Sequence, residues 1–137
     1  MMLFNEQELR TLAAFMDTLI PPDEYPGGWD GAGNYLLNQI ASNLKDEMPI
    51  YKEAVKVLKI VSNAEYQMDY YELNEQQRYR IIKELENGTI ASPISGSPPA
   101  WITHAVRHTA EGYYANPENG GNPETLSWKM IGFEVTA

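Results

Sequence analysis

Two histidines and a glutamate occur at a spacing that could bind a metal ion. His104, His108 and Glu111 are separated by steps of four and three residues, which place side chains on one face of a helix. Imidazole and carboxylate groups are ligands for divalent metals, but three ligands fixed on a single helix are too few for a metal site. The apolar side chains of the same helix lie about 120° away. We therefore predict that the trio faces solvent or a partner and holds no metal.

A glycine-rich run over residues 27–33, Gly-Gly-Trp-Asp-Gly-Ala-Gly, could suggest a phosphate-binding loop. Such a loop follows a strand and carries a lysine, whereas this run follows two prolines and carries Asp30. The sequence instead predicts a structural turn. In this turn Pro21 and Pro22 end the first helix, and the stretch from Gly27 to Gly33 gives a flexible entry into the second.

A second glycine-containing stretch, Asn-Pro-Glu-Asn-Gly-Gly-Asn-Pro-Glu over residues 116–124, offers oxygen ligands that could suggest a calcium loop. The alternating Asp/Asn order and the distant bidentate glutamate of such loops are missing. A tight turn, with Gly120 and Gly121 supplying positive φ, explains the same residues.

Composition excludes several other functions. Cysteine is absent, which removes disulfides, thiolate zinc sites and cysteine nucleophiles. No Glu-x-x-His pair, nucleophile elbow or catalytic triad is visible. The net charge of −9 disfavours nucleic acid and anionic membranes as partners. No apolar run reaches the ~18 residues of a membrane span, and no signal peptide is visible. We expect a cytoplasmic location, or a periplasmic one if an export signal has been removed.

Apolar residues follow helical spacing, and the alternation typical of strands never persists. Helices are predicted from Asn5 to the Pro21–Pro22 pair, from about residue 30 to 45, from near Pro49 to about 61, from Asn74 to Asn87–Gly88, and from Ser97–Pro98 to about 113. Residues 63–72 fit a short helix or a turn. The last helix should face inward with Trp101, Ile102, Ala105, Val106, Thr109 and Tyr113. The prediction is an all-α, single-domain bundle of about five helices over residues 1–137. Its ordered, turn-rich tail over 116–137 should be packed on the bundle, on a partner, or on both.

Three stretches near the C-terminal end resemble the C-terminal signature of one family. They are residues 112–117 (Gly-Tyr-Tyr-Ala-Asn-Pro), 120–122 (Gly-Gly-Asn) and 128–133 (Trp-Lys-Met-Ile-Gly-Phe). The family is the small (gamma) subunit of gluconate 2-dehydrogenase and of related flavin-dependent sugar dehydrogenases. Residues 4–23, 26–27 and 31–33 resemble its opening pattern, and residues 46–97 resemble it mainly in helical character.

The resemblance implies a non-catalytic, chaperone-like helical partner of a large FAD-dependent dehydrogenase of the glucose–methanol–choline type. FAD belongs to that large subunit, no cofactor is expected in this chain, and a haem c subunit sometimes carries electrons onward. In exported relatives the small subunit carries a twin-arginine signal. No such signal is visible here, so the folding and stabilising role is the one we expect.

Aromatic residues on a segment too short to form its own core must pack on the bundle or on a partner. The predicted partner-interface residues are Trp128, Phe133, Asn122, Gly120, Gly121, Tyr114, Pro117, His104 and His108. Two alternatives remain open at this point: a free-standing helical binding or regulatory module, and a small metal-dependent enzyme that uses the histidine trio.

Overall fold

The computed structural model describes residues 3–94 and 99–114, and within these it is all-helical, as predicted. Five α-helices follow one another: α1 (Glu6–Leu19), α2 (Gly28–Ser42), α3 (Leu44–Tyr66), α4 (Glu75–Glu86) and α5 (Ala100–Tyr113). A 3₁₀ turn, Tyr70–Glu72, lies between α3 and α4. The predicted tail over 116–137 and the predicted cap at Ser97–Pro98 lie outside the described residues. No helix in the described ranges is long and apolar enough to cross a membrane.

Helix starts that depend on local capping are confirmed. The Asn5 side chain accepts a hydrogen bond from the Glu8 amide at 2.8 Å, and the Glu8 carboxylate accepts one from the Asn5 amide at 2.9 Å. Asn74 and Gln77 form the same reciprocal pair at the start of α4. Each pair satisfies two backbone donors that a helix start would otherwise leave without a partner. Gly88 has φ 81° just after α4 ends, which agrees with the predicted stop.

Two helix starts were predicted too late. The glycine-rich run was expected to be a flexible entry, yet α2 already begins at Gly28, whose amide donates to the Ile20 carbonyl at 2.8 Å. Helix α3 begins at Leu44, directly after Asn43, and Pro49 lies inside it rather than in its first turn. Pro49 is exposed, so water can reach the Lys45 carbonyl that loses its helical partner there. The earlier start brings Glu47 into the helix.

Helix α1 lies at the centre of the bundle and contacts each of the other four helices and the 3₁₀ turn. Its inner face contributes Leu12, Phe15 and Met16, all of which are fully buried. Phe15 packs edge-on against Trp101 of α5, with ring centroids 5.4 Å apart. Below this layer, the hydroxyls of Thr18 and Tyr70 lie 2.6 Å apart and join α1 to the 3₁₀ turn through a buried hydrogen bond.

Helices α2 and α5 make the most extensive contact in the bundle because each presents a glycine to a tyrosine of the other. A Cβ on Gly31 would lie 2.4 Å from the Tyr113 ring, and a Cβ on Gly112 would lie 2.5 Å from the Tyr35 ring. The Tyr113 hydroxyl also donates to the Pro26 carbonyl at 2.7 Å. This reciprocal packing fixes the C-terminal end of α5, where the described structure ends.

One inward-facing prediction for α5 was wrong. Val106 is 45 % exposed, whereas the other five predicted residues are buried. At about 100° per residue, Val106 lies some 80° from the middle of the buried stripe, and no helix covers that side of α5 in the described structure. His108 lies about as far from the stripe on the opposite side, and there α3 covers it.

Candidate functional site

The two histidines of α5 meet a glutamate from α3. His104 and His108 are one turn apart, with ring centroids separated by 4.1 Å. The Glu47 Oε2 atom lies 2.8 Å from His104 Nε2 and 3.5 Å from His108 Nδ1. The potential ligand atoms of the three residues all lie within 4.8 Å of one another. We call Glu47, His104 and His108 the His–Glu cluster.

Tyr51 forms the inner wall of the cluster. It lies one helical turn after Glu47, its ring stacks on His108, and its hydroxyl is 3.1 Å from His108 Nδ1. Burial and the negative charge of Glu47 raise the pKa of Tyr51 well above its ordinary value, so the phenol keeps its proton. When His108 Nδ1 carries no proton, this hydroxyl donates to it.

His108 is held in its neutral form. Burial of the ring, followed by the charge of His104, lowers the pKa of His108 below the ordinary value of 6.5. A neutral imidazole keeps one nitrogen lone pair, which can accept a hydrogen bond or bind a metal. The cluster is also accessible, because side-chain exposure is 28 % for His104 and 14 % for Glu47. A surface groove of ≈ 410 Å³ lined by Trp101, His104 and Arg107, among others, opens beside it.

The structure corrects the orientation predicted for the histidine trio. His104 and His108 pack against α3 and are only partly exposed, whereas Glu111 is exposed as predicted and does not join them. Glu111 is exposed and accepts a hydrogen bond from the Tyr35 hydroxyl at 3.4 Å. The third member is Glu47, which lies 57 positions before His104 in the sequence. No local pattern could have found it, and the late start predicted for α3 placed it in a loop.

Asp17, a titratable residue of α1, contacts the predicted structural turn between α1 and α2 and the start of α2. The Asp17 Oδ1 atom accepts a hydrogen bond from the Trp29 amide at 3.0 Å, in the first turn of α2. Gly27 leaves room for this carboxylate, because a Cβ there would lie 2.5 Å from the same oxygen. Burial raises the pKa of Asp17 in spite of that hydrogen bond. Pro21 and Pro22 follow α1 as predicted, whereas Gly33 lies within α2 against the Trp29 ring.

Comparison with known families decides where the chain belongs. The family model described as gluconate 2-dehydrogenase subunit 3 matches residues 6–134. The chain belongs to this subunit 3 family. A protein of this family is a subunit of a dehydrogenase complex, and a partner subunit is therefore implied. No curated protein and no solved structure gave a significant match.

Within this subunit 3 chain, the predicted partner-interface residues are only partly described. Tyr114, His104 and His108 lie in the described structure, and of these Tyr114 is the most exposed, at 40 %. The others, namely Pro117, Gly120, Gly121, Asn122, Trp128 and Phe133, lie outside the described residues. Their role at an interface stays a prediction.

Sequence reasoning missed an exposed apolar row on α5. Val106, Ala110 and Tyr114 are four residues apart, so their side chains share one face of the helix, and all three are exposed. Val106 had been predicted to face the core. The signal that could have identified the row was this spacing of four, which continues past the end of the helix to Tyr114.

Proposed function

We propose that this chain is the non-catalytic small subunit of a heteromeric FAD-dependent sugar or polyol dehydrogenase. In this role it assists the folding and stability of the large flavoprotein subunit. The observation that carries the proposal is the family match over residues 6–134, which includes nearly the whole chain. The flavin belongs to the large subunit of the glucose–methanol–choline type, and a haem c subunit is a further potential partner.

The exposed row on α5 supports a role in subunit contact. Apolar side chains aligned on a helix face lose unfavourable contact with water when a partner covers them. The row lies on the helix that Gly112 and Tyr113 fix against α2. A rigid helix presenting Val106 and Tyr114 loses little side-chain freedom on association, which favours binding. We propose that the large subunit covers this row.

Co-expression tests the folding role. The large subunit is produced with and without this chain, and its soluble yield, flavin content and dehydrogenase activity are compared. We expect the large subunit alone to be poorly soluble or inactive, and co-expression to restore both properties. Equal yield and activity without the small subunit would contradict the proposed function.

A paired substitution tests the α5 row. Val106→Glu places a charge in the proposed contact, and Ile60→Glu places the same charge at a similarly exposed position on α3. Both variants should fold, because both side chains face solvent. Val106→Glu should reduce co-purification of the large subunit strongly, and Ile60→Glu should leave it unchanged. If both variants retain the partner equally, the large subunit does not cover the α5 row.

A further inference from the structure

We propose that Glu47, His104 and His108 form a binding site for a divalent transition-metal ion of the zinc type, which links α3 to α5. The proposal concerns a property of the small subunit itself and does not depend on the identity of its partner. It rests on the convergence of two imidazoles and one carboxylate from two helices, whose potential ligand atoms lie within 4.8 Å of one another. The expectation that this chain binds no metal is the alternative that the experiment below tests.

The ligand chemistry fits zinc. Two imidazole nitrogens and one carboxylate oxygen are a three-ligand set that zinc uses in proteins, with bonds of about 2.0–2.2 Å. Tetrahedral ligands at that bond length lie roughly 3.4 Å from one another. Glu47 Oε2 lies 2.8 Å from His104 Nε2 and 3.5 Å from His108 Nδ1, so the separations lie on either side of this value. The two imidazole nitrogens lie within 4.8 Å of each other, so side-chain movements on the order of an ångström would admit an ion.

The surrounding structure holds the ligands in place. His104 and His108 lie on one turn of α5, and Glu47 lies in the first turn of α3, so each ligand is carried by a helix rather than a loop. The buried Tyr51 ring limits the rotation of His108 by stacking on it. Ligands fixed in this way lose little conformational freedom on binding, which favours the bound state.

The position of the cluster indicates what the ion would do. Three protein ligands leave one coordination position for water or for a group from a partner, and the partial exposure of His104 makes that position accessible. An ion held by α3 and α5 joins two helices that are far apart in the sequence, so its binding stabilises the folded state. The effect we assign to the ion is to stabilise the contact between α3 and α5.

The chain is well suited to a direct test because its two histidines both lie in the cluster and it contains no cysteine. Any stoichiometric imidazole-based binding must therefore use these two residues. Tag-free protein is stripped of metal with a chelator and titrated with Zn²⁺ by calorimetry. The same protein is titrated with Co²⁺, whose visible spectrum reports nitrogen and oxygen ligation, and the imidazole nitrogens are followed by NMR.

Matched variants separate the proposed site from nonspecific binding. Glu47→Gln, His104→Asn and His108→Asn each remove one ligand, and Glu111→Gln removes the neighbouring carboxylate on the same helix. We expect one equivalent of Zn²⁺ in the natural chain, with losses of about 100-fold or more in affinity for the three ligand variants. Glu111→Gln should bind as the natural chain does. Circular dichroism is used to check that each variant is folded. If a histidine variant unfolds, Glu47→Gln still removes one of the three ligands and tests the site.

Four results would overturn the proposal, and three of them concern Zn²⁺ binding directly. They are the absence of stoichiometric Zn²⁺ binding, binding that persists unchanged in Glu47→Gln, and an imidazole NMR spectrum that does not respond to Zn²⁺. Equal losses in Glu47→Gln and Glu111→Gln would also overturn it, because they would indicate that charge alone attracts the ion.

Discussion

Gly28 is the position where the packing of α1 against α2 leaves least room for a side chain. A Cβ at Gly28 would lie 2.1 Å from the Met16 carbonyl oxygen and 2.7 Å from its carbonyl carbon. Since real Cβ contacts essentially never fall below 3.0 Å, the two helices would have to separate by 0.9 Å or more. The backbone at this contact already makes two hydrogen bonds, which such a movement would disturb: the Met16 carbonyl accepts one from the Ile20 amide, and the Ile20 carbonyl accepts one from the Gly28 amide. We therefore predict that Gly28→Ala destabilises the fold.

The magnitude follows from three contributions. Overpacking of a dense interface costs about 1–3 kcal/mol. Distortion of one of the two backbone hydrogen bonds adds about 1 kcal/mol. The higher helix propensity of alanine offsets less than about 1 kcal/mol, because Gly28 is the first residue of α2. The net loss in the free energy of unfolding should be roughly 1–4 kcal/mol, which lowers Tm by roughly 3–20 °C for a domain of this size.

Urea unfolding followed by circular dichroism measures this loss, and Gly33→Ala is the matched control in the same helix. The atoms nearest to a Cβ at Gly33 belong to the ring of Trp29, at 2.9 Å, which is a half-buried side chain rather than backbone. The gain of about 0.8–1.0 kcal/mol in helix propensity should nearly offset the cost of this close approach. The free energy of unfolding of Gly33→Ala should therefore lie within about 1 kcal/mol of that of the natural chain. The reasoning is refuted if Gly28→Ala is as stable as the natural chain, or if both variants lose the same amount.

Four further substitutions test three individual interactions. Tyr70→Phe should lower the free energy of unfolding by only about 0.5–1.5 kcal/mol, because Thr18 still donates to the Ala14 carbonyl. Thr18→Val should lower it more in the same assay, because the buried Tyr70 hydroxyl then keeps only a 3.5 Å contact with the Arg78 carbonyl. Asp17→Asn should gain stability relative to the natural chain as pH rises from 3 to 7. Because the pKa of Asp17 in the folded state is raised above 3.8, its contribution to the stability of the natural chain is complete below that pH and is lost as pH rises through the folded pKa. A stability difference between the two proteins that does not change with pH would contradict this. Tyr51→Phe should raise Zn²⁺ affinity by about 2–10-fold in calorimetry, because it removes the hydroxyl that competes for His108 Nδ1, and weaker binding would show that the hydroxyl orients the ring instead.

The family match does not by itself locate the functional surface of this chain. Residues 6–134 match as a whole, whereas the α5 row and the two histidines of the His–Glu cluster lie on different faces of α5. They can therefore be perturbed separately. Val106→Glu should lose the large subunit and still bind metal, whereas Glu47→Gln should lose metal binding and still retain the large subunit. These two results together would establish that subunit contact and metal binding are independent.

The sequence alone determined the features that depend on neighbouring residues. The capping boxes at Asn5 and Asn74, the stop at Gly88 and the helical spacing of the core all involve side chains and backbone groups within a few positions of one another. The all-α class followed from this spacing, and the family resemblance followed from short motifs. These features are local, so the amino-acid order is sufficient to predict them.

Tertiary structure decided the features that depend on contacts between distant segments. Helix α3 begins at Leu44 without any side-chain cap, and Gly28 joins α2 because Ile20 offers a carbonyl to its amide. Val106 is exposed and His108 is covered although they lie at similar angles from the core stripe, because α3 covers only one side of α5. The partner of the two histidines is Glu47, on another helix, rather than the neighbouring Glu111. Helical spacing shows which residues share a face, but the packing of the other helices determines what that face contacts.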